Sequence, residues 1–280
     1  MTRFIAACVQ VNSRDDMSDN LARAATYARD AHAVGARLIA FPENVSMMSF
    51  GGENVRVAAF LEDEHPGLAF FGDLAVELNS TLIVGSLHVK ARDEDRVANR
   101  CFVIGPDGNI IISYDKIHMF DVDLANGESY RESKTFRPGD AARMADTDYG
   151  KIGVSICYDV RFPHLFRDYA KAGAKILSIP AAFTRTTGQA HWHTLLKARA
   201  IENGCFVIAA AQCGEHPGNR QTFGHSLISG ATFWPMAGPI PALSPPRSIW
   251  IGLMKFDAWC RRCKTSRAIN PVRLLIGSFG

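Results

Sequence analysis

Three side chains in this sequence combine the right types and settings for covalent chemistry at a carbonyl: Cys157, Glu43 and Lys116. Cys157 stands where a short β-branched run, Lys151–Ile156, ends and just before a helical run, Phe162–Ala172, that Gly173 stops. On a sharp strand-to-helix turn a cysteine exposes its sulfur, and the N–H groups opening the helix favour thiolate and can hold an oxyanion. The same sulfur could equally just pack, as most free cysteines do. Glu43 follows RLIAFP and Lys116 follows IIISYD, each just past a hydrophobic strand. Alone, either reads as a solvated edge residue. Together, a thiol, a carboxylate and an ammonium on three strand ends can converge at one rim of a sheet. That set suits covalent amide hydrolysis: nucleophile, proton carrier and oxyanion stabiliser, with no metal required. A nearby cation and a helix start would keep the thiolate populated near pH 7. Apolar surroundings would raise the carboxyl pKa enough for proton shuttling.

The positioning elements follow from periodicity. Phe4–Val11 reads as a buried strand, and Asn20–Ala33 as a helix with Asp19 or Ser18 as N-cap and Gly35 past its end. Arg37–Phe41 is a second strand, Leu68–Leu78 a helix and Thr81–Val89 a strand. Cys101–Ile104 and Asn109–Tyr114 bracket the hairpin signal Gly105-Pro106-Asp107-Gly108. A long irregular connection, 115–140, precedes the Cys157 unit, and loops of that length are usually functional. Strand Lys175–Ile179, helix Ala190–Asn203 and strand Cys205–Ala211 complete an alternating α/β order. The continuously apolar strands require burial on both faces, or sheet packed on sheet.

The 280 residues can form one large α/β domain. No apolar run is long enough to span a membrane, and the N-terminus lacks the order of a signal peptide. Seven scattered cysteines fit reduced thiols in the cytoplasm. Net charge is +3, but residues 229–280 carry +6 and the remainder −3, and six of the 13 prolines fall in that tail. Composition therefore breaks near Ser229. Cys260 and Cys263 have zinc-like spacing without a second pair, and His191, His193 and His225 do not form a metal set.

FPEN (Phe41–Asn44), YDKIHMFD (Tyr114–Asp121) and GVSICYDVRFP (Gly153–Pro163) resemble the three signature blocks of the nitrilase, or carbon–nitrogen hydrolase, superfamily. PAAFTRTTGQAHWHTLLKARAIENGCFVIAAAQCG and FGHSLI resemble its Nit branch of deaminated glutathione amidases and ω-amidases. The resemblance runs from about Arg3 to Ile228 and implies a four-layer α-β-β-α sandwich that commonly dimerises. It implies an amidase that cleaves a small carboxylate-bearing amide through a cysteine thioester and releases ammonia, with no cofactor. Cys157 would attack, Glu43 would carry the proton, and Lys116 with the Tyr158 N–H would hold the oxyanion. Glu132 would orient lysine and substrate. Arg161 would bind a substrate carboxylate or, alternatively, hold Asp159 in a salt bridge. His118, Phe120, Phe183, Thr184 and Trp192 would wall the pocket.

The resemblance stops at the tail. The expected organisation is a carbon–nitrogen hydrolase domain over 1–228 and a divergent segment over 229–280, too rich in proline for strands. Back-translated and read one base over, ATFWPMAG can give a family-like strand and KFDAWCRRCK a family-like terminal helix, so the tail reads as translated out of frame. Loss of the family's final strands would put the homodimer in doubt. An N-carbamoyl-amide hydrolase and a catalytically impaired binding protein are the competing functions. The partner is expected to be a small amide, with neither membrane nor nucleic acid involved; a nucleic-acid role would rest on the basic tail alone.

Overall fold

A computed structural model describes residues 3–49, 51–123, 127, 129–230 and 249–255. The chain begins with β1 (Arg3–Val9), α1 (Met17–Ala33), β2 (Ala36–Ala40), α2 (Gly52–Ala58) and α3 (Pro66–Leu78), followed by β3 (Thr81–Lys90), β4 (Val97–Ile104) and β5 (Ile110–Asp115). The long connection folds into β6 (Asp121–Asp123), β7 (Ser129–Arg131) and β8 (Phe136–Arg137). Next come β9 (Arg143–Thr147), β10 (Gly150–Val154), α4 (Pro163–Lys171), β11 (Ile176–Ser178), α5 (Arg185–Asn203) and β12 (Phe206–Ala209). The hairpin β13 (Cys213–His216) and β14 (Arg220–Phe223), then β15 (Leu227–Ser229) and β16 (Ile249–Lys255), complete the described chain.

Among the described residues these strands make two large sheets, β16-β1-β2-β3-β4-β5 with β8 beside β4, and β15-β12-β11-β10-β9. Residues alternate sides along the first sheet's strands, as the two-residue repeat demands. Phe4, Ala6, Cys8, Leu38, Ala40, Ile83, Cys101 and Val103 share a core with Ile152, Val154, Ile176 and Val207 of the second sheet. Ala7, Val9, Ile39, Leu82, Val84 and Phe102 pack instead against Leu21, Ala24 and Ala28 of α1 and Phe71 and Leu74 of α3. The second sheet's outer side is covered by Phe166 and Tyr169 of α4 and Trp192 and Leu196 of α5. The result is a four-layer α-β-β-α sandwich, as the resemblance implied. Tyr149 Oη donates to Arg37 O at 3.1 Å across the two sheets.

Several local expectations are corrected. The N-cap of α1 is Asp16, whose Oδ1 accepts from Asp19 N at 3.0 Å, so the helix starts ahead of Ser18 and Asp19. Cys157 is not at the mouth of an α-helix. It opens a short 3-10 turn, Cys157–Arg161, and α4 begins only at Pro163, because proline fits the first helical turn and excludes earlier continuation. The tail is not without strands: Ile249–Lys255 pairs antiparallel with β1 along its whole length. Proline is confined to 235–246 and Pro271, leaving IWIGLMK free to join a ladder. The remainder of the tail, including both segments read as out of frame, lies outside the described residues.

Candidate active site

Glu43 is held by a β-bulge. The β3–β4 register shifts between Val84 and Leu87, and the bulge reaches across to the chain leaving β2. Phe41 N donates to Ile83 O at 2.9 Å, Asn44 N to Ser86 Oγ at 2.9 Å and Val45 N to Ser86 O at 3.3 Å. Only glycine fits at position 85, since a Cβ there would lie 2.1 Å from Pro42 O and 2.2 Å from Phe41 O. Lys116 is fixed at the end of β5 by its own backbone, its N donating to Asn99 O at 3.0 Å and its O accepting from Gly139 N at 2.7 Å. Cys157 has φ +52°, the left-handed region that a non-glycine residue occupies only under constraint.

That constraint comes from Asp159, which is fully buried. Its carboxylate accepts from Tyr114 Oη at 2.7 Å, Ile156 N at 2.8 Å and His118 N at 3.0 Å. His118 Nδ1 lies 2.7 Å from it as well. These contacts clamp the turn carrying Cys157 to the end of β5. No salt bridge from Arg161 takes part, contrary to the alternative considered for that residue.

The three expected groups meet. Lys116 Nζ donates to Glu43 Oε1 at 3.1 Å and to Glu132 Oε1 and Oε2, both at 2.8 Å. The Cys157 thiol and the Glu43 carboxylate share the same cavity wall, and each shifts the other's titration. Glu43 Oε1 takes a further bond from Asn99 Nδ2 at 2.9 Å and its Oε2 one from Ala182 N at 2.8 Å. Glu132 Oε2 accepts from Phe120 N at 2.6 Å, which ties the long connection to the lysine. Lys116 and Glu43 are 1% and 3% exposed, so these charges interact with little screening by water.

Burial alone would raise the Glu43 carboxyl, but Lys116, the Cys157 thiol and Arg220 together hold it below its ordinary value. Burial, reinforced by the charge of Glu43, pushes the Cys157 thiol well above its ordinary value despite the opposing pull of Lys116. Burial works against a charged Lys116, yet Glu132 and Glu43 outweigh it and raise its pKa. The resting arrangement is therefore thiol, carboxylate and ammonium. This reverses the two pKa directions expected from sequence, because the ion pair with Lys116 stabilises the carboxylate more than the apolar setting disfavours it. The thiols of Cys8 and Cys101 are also raised, chiefly by burial, without an acidic neighbour among the causes.

A cavity of about 230 Å³ opens over these groups. Glu43, Lys116, Glu132, Cys157, Tyr158, Phe120, Phe183 and Thr184 are on its wall, together with Arg220. Two expected wall residues, Trp192 and His118, and the expected carboxylate binder Arg161 are not among the residues lining it. Trp192 is fully buried, donating Nε1 to His225 O at 2.9 Å. His118 is held by Asp159 and stacks on Phe162 with ring centroids 3.5 Å apart. Arg161 lies off the wall, its guanidinium 5.7 Å from the Tyr158 ring centroid and 5.5 Å from that of Phe183. Among the described residues no group of His, Cys, Asp and Glu could hold a metal ion, and no helix is long and apolar enough to cross a membrane.

Sequence reasoning missed Asn99, Asp159, Ala182 and Arg220. Asn99, polar within the apolar run of β4, carried a signal. Ala182 contributes only its backbone, and nothing in the residues around Arg220 distinguishes it from a surface arginine.

The Carbon-nitrogen hydrolase family profile matches residues 5–240. Deaminated glutathione amidase of Yersinia enterocolitica is 38% identical over 227 residues, covering 80% of this chain and 79% of that protein. Omega-amidase NIT2 of Homo sapiens is 35% identical over 230 residues, covering 81% of each. Among solved structures, the C. elegans NitFhit protein superposes with TM-score 0.76 at 35% identity, over 82% of this chain and 56% of that longer one. Saccharomyces cerevisiae Nit3, a member of branch 10 of the nitrilase superfamily, gives 0.73 at 29% identity, covering 82% and 83%.

Proposed function

This chain belongs to the carbon–nitrogen hydrolase family and is an amide-cleaving enzyme of that family, and from that premise we propose that Cys157, Glu43 and Lys116 perform the cleavage through a thioester on the cysteine. The observation that carries the proposal is the meeting of Glu43, Lys116 and Cys157 on one cavity wall, with Lys116 Nζ donating to Glu43 Oε1 at 3.1 Å and the thiol and carboxylate shifting each other's titration. Glu43 takes the thiol proton as sulfur attacks the amide carbon, so that neither a free thiolate nor a free acid has to persist in the buried site. The oxygen of the tetrahedral intermediate is held by Lys116 and the Tyr158 N–H. Glu43 then gives its proton to the departing nitrogen, the C–N bond breaks, and the acyl group remains on sulfur. In the second half Glu43 deprotonates water, hydroxide displaces the sulfur, and the proton returns to Cys157 as the acid leaves. Glu132, with both oxygens on Lys116, keeps that lysine charged and aimed.

The proposed substrate is a small amide bearing a carboxylate, of the deaminated glutathione or ω-amide type. The names of the relatives support that class, as does a cavity wall that combines Phe120 and Phe183 with cationic side chains. A primary amide such as α-ketoglutaramate would release ammonia, and a secondary amide an amine. We place the protein in a reducing cytoplasm, in keeping with its described cysteines, all free. We also keep the division at Ser229 and the reading of the tail as out of frame; independent sequencing of the gene around that codon tests the latter.

Intact-mass measurement after mixing with a panel of small amides is the direct test. An acyl adduct on Cys157, absent in Cys157→Ala, together with release of ammonia or amine, is expected. Turnover surviving in Cys157→Ala at more than about 10⁻³ of the parent rate would sink the mechanism.

A further inference from the structure

Three cationic side chains face the cavity: Lys116, Arg131 and Arg220. Lys116 is committed to Glu43 and Glu132. Arg131 grips Asp123 at 2.8 and 2.9 Å and donates to the carbonyls of Val122 and Tyr130. Arg220 differs. Its Nη2 donates to Ala182 O at 2.9 Å, its Nε is buried without a hydrogen-bond partner, and its charge acts on Glu43 from a distance with no salt bridge among the described residues. A guanidinium carries five donors in a rigid fork, and leaving them unmet in a partly buried site is unfavourable unless a ligand meets them.

Its position is as telling as its valence. The same Ala182 whose carbonyl Arg220 holds gives its N–H to Glu43 Oε2 at 2.8 Å. Arg220 is thus one residue of backbone away from the reacting groups. The hydroxyls of Thr184 and Thr187, 2.8 Å apart, belong to the same cavity wall. Arg220 is fixed by the first residue of β14, directly after the left-handed pair Gly218 and Asn219, so a rigid hairpin and not a loose loop aims it.

We propose that Arg220 binds the carboxylate of the substrate and so determines which amides this enzyme accepts. The assignment rests on the amidase reading above and adds the residue that selects the substrate. The terminal nitrogens of the Arg220 fork would take the carboxylate from the cavity side. The Arg161 guanidinium lies over the rings of Tyr158 and Phe183, with Nη2 3.3 Å from His191 Nδ1. The carboxylate could sit on the acyl part or on the departing amine, and paired substrates separate these.

The test compares succinamate with butyramide, and N-acetylglycine with N-ethylacetamide, in the parent enzyme, Arg220→Met and Arg220→Lys. Arg220→Met is expected to lose about 10- to 100-fold more in kcat/KM on the charged member of one pair than on its neutral partner, with the difference mainly in KM. Arg220→Lys is expected to recover part of the loss. Which pair responds tells which side of the amide carries the charge. Equal losses on charged and neutral members, or a fall in kcat alone, would mean that Arg220 merely braces Ala182. A selective loss in Arg161→Met instead would return the role to that residue. Succinate binding by calorimetry keeps the two readings apart. Binding that needs Arg220 in a protein without turnover would uphold the anchor and sink only the amidase mechanism; binding indifferent to Arg220 would overturn the anchor.

Discussion

Glu43 and Cys157 pull each other's titrations apart. The carboxylate is held low by Lys116 against the effect of burial, while the thiol is raised by burial and by that same carboxylate. The form ready to react has Glu43 ionised and Cys157 protonated, and it is lost when either group titrates. The acid limb of kcat/KM should therefore fall below the ordinary glutamate value of about 4.3 and the alkaline limb above the ordinary thiol value of about 8.5, with a plateau between. Glu43→Gln separates the two roles of the carboxylate. Removing its charge takes away one of the influences that raise the thiol, so the thiol midpoint should move down. Turnover should nevertheless collapse, because the proton carrier is gone. Iodoacetamide alkylation of Cys157 followed by mass against pH reads the midpoint directly. A midpoint that rises or stays fixed in Glu43→Gln would show that the carboxylate does not face the sulfur.

At the scale of elements, the site is a set of strand ends held by features that side-chain periodicity does not encode. Cys157, Glu43 and Lys116 were legible because each follows a hydrophobic strand, and the ends of neighbouring strands in layered sheets share a rim. The two pKa directions were not legible, since they depend on an ion pair formed between residues 73 positions apart. Nor was the 3-10 turn at Cys157, which exists because the buried Asp159 carboxylate gathers donors from Tyr114, His118 and Ile156. The bulge at Gly85 was equally hidden: a glycine in an apolar strand reads as a weak spot until the chain pressing on it is known. Gly85→Ala should displace Pro42, and Glu43 with it, because backbone oxygens cannot yield as a flexible side chain can. We expect a loss of roughly 2–4 kcal/mol in stability, with activity falling further than the unfolded fraction explains. Chemical denaturation paired with kcat/KM at a temperature where the variant is folded checks this. Normal activity in a variant that is merely less stable would detach the bulge from the positioning of Glu43.

For the whole molecule, the question is what closes the first sheet. β1 pairs with β2 on one side, and on the other with β16 through every residue from Arg3 to Val9. Ala6, Ala7, Cys8 and Val9 in that strand are fully buried. Without β16, seven residues of apolar strand would present unpaired N–H and C=O groups, a ready template for another chain. A chain ending after Gly230 keeps every residue of the proposed site and loses this closure. It should retain the ability to form the Cys157 adduct when freshly folded, yet self-associate as concentration rises, while the full chain holds one defined oligomeric state. Leu253→Pro tests the same point without truncation, since proline removes a backbone donor from the middle of β16. Light scattering over a hundredfold range of concentration, with adduct formation measured on the same samples, distinguishes the outcomes. If both variants keep the parent's mass at every concentration, the sandwich does not depend on β16 for its edge. If both lose the adduct at once, the edge strand supports the site as well as the sheet, and closure and catalysis belong to one cooperative unit.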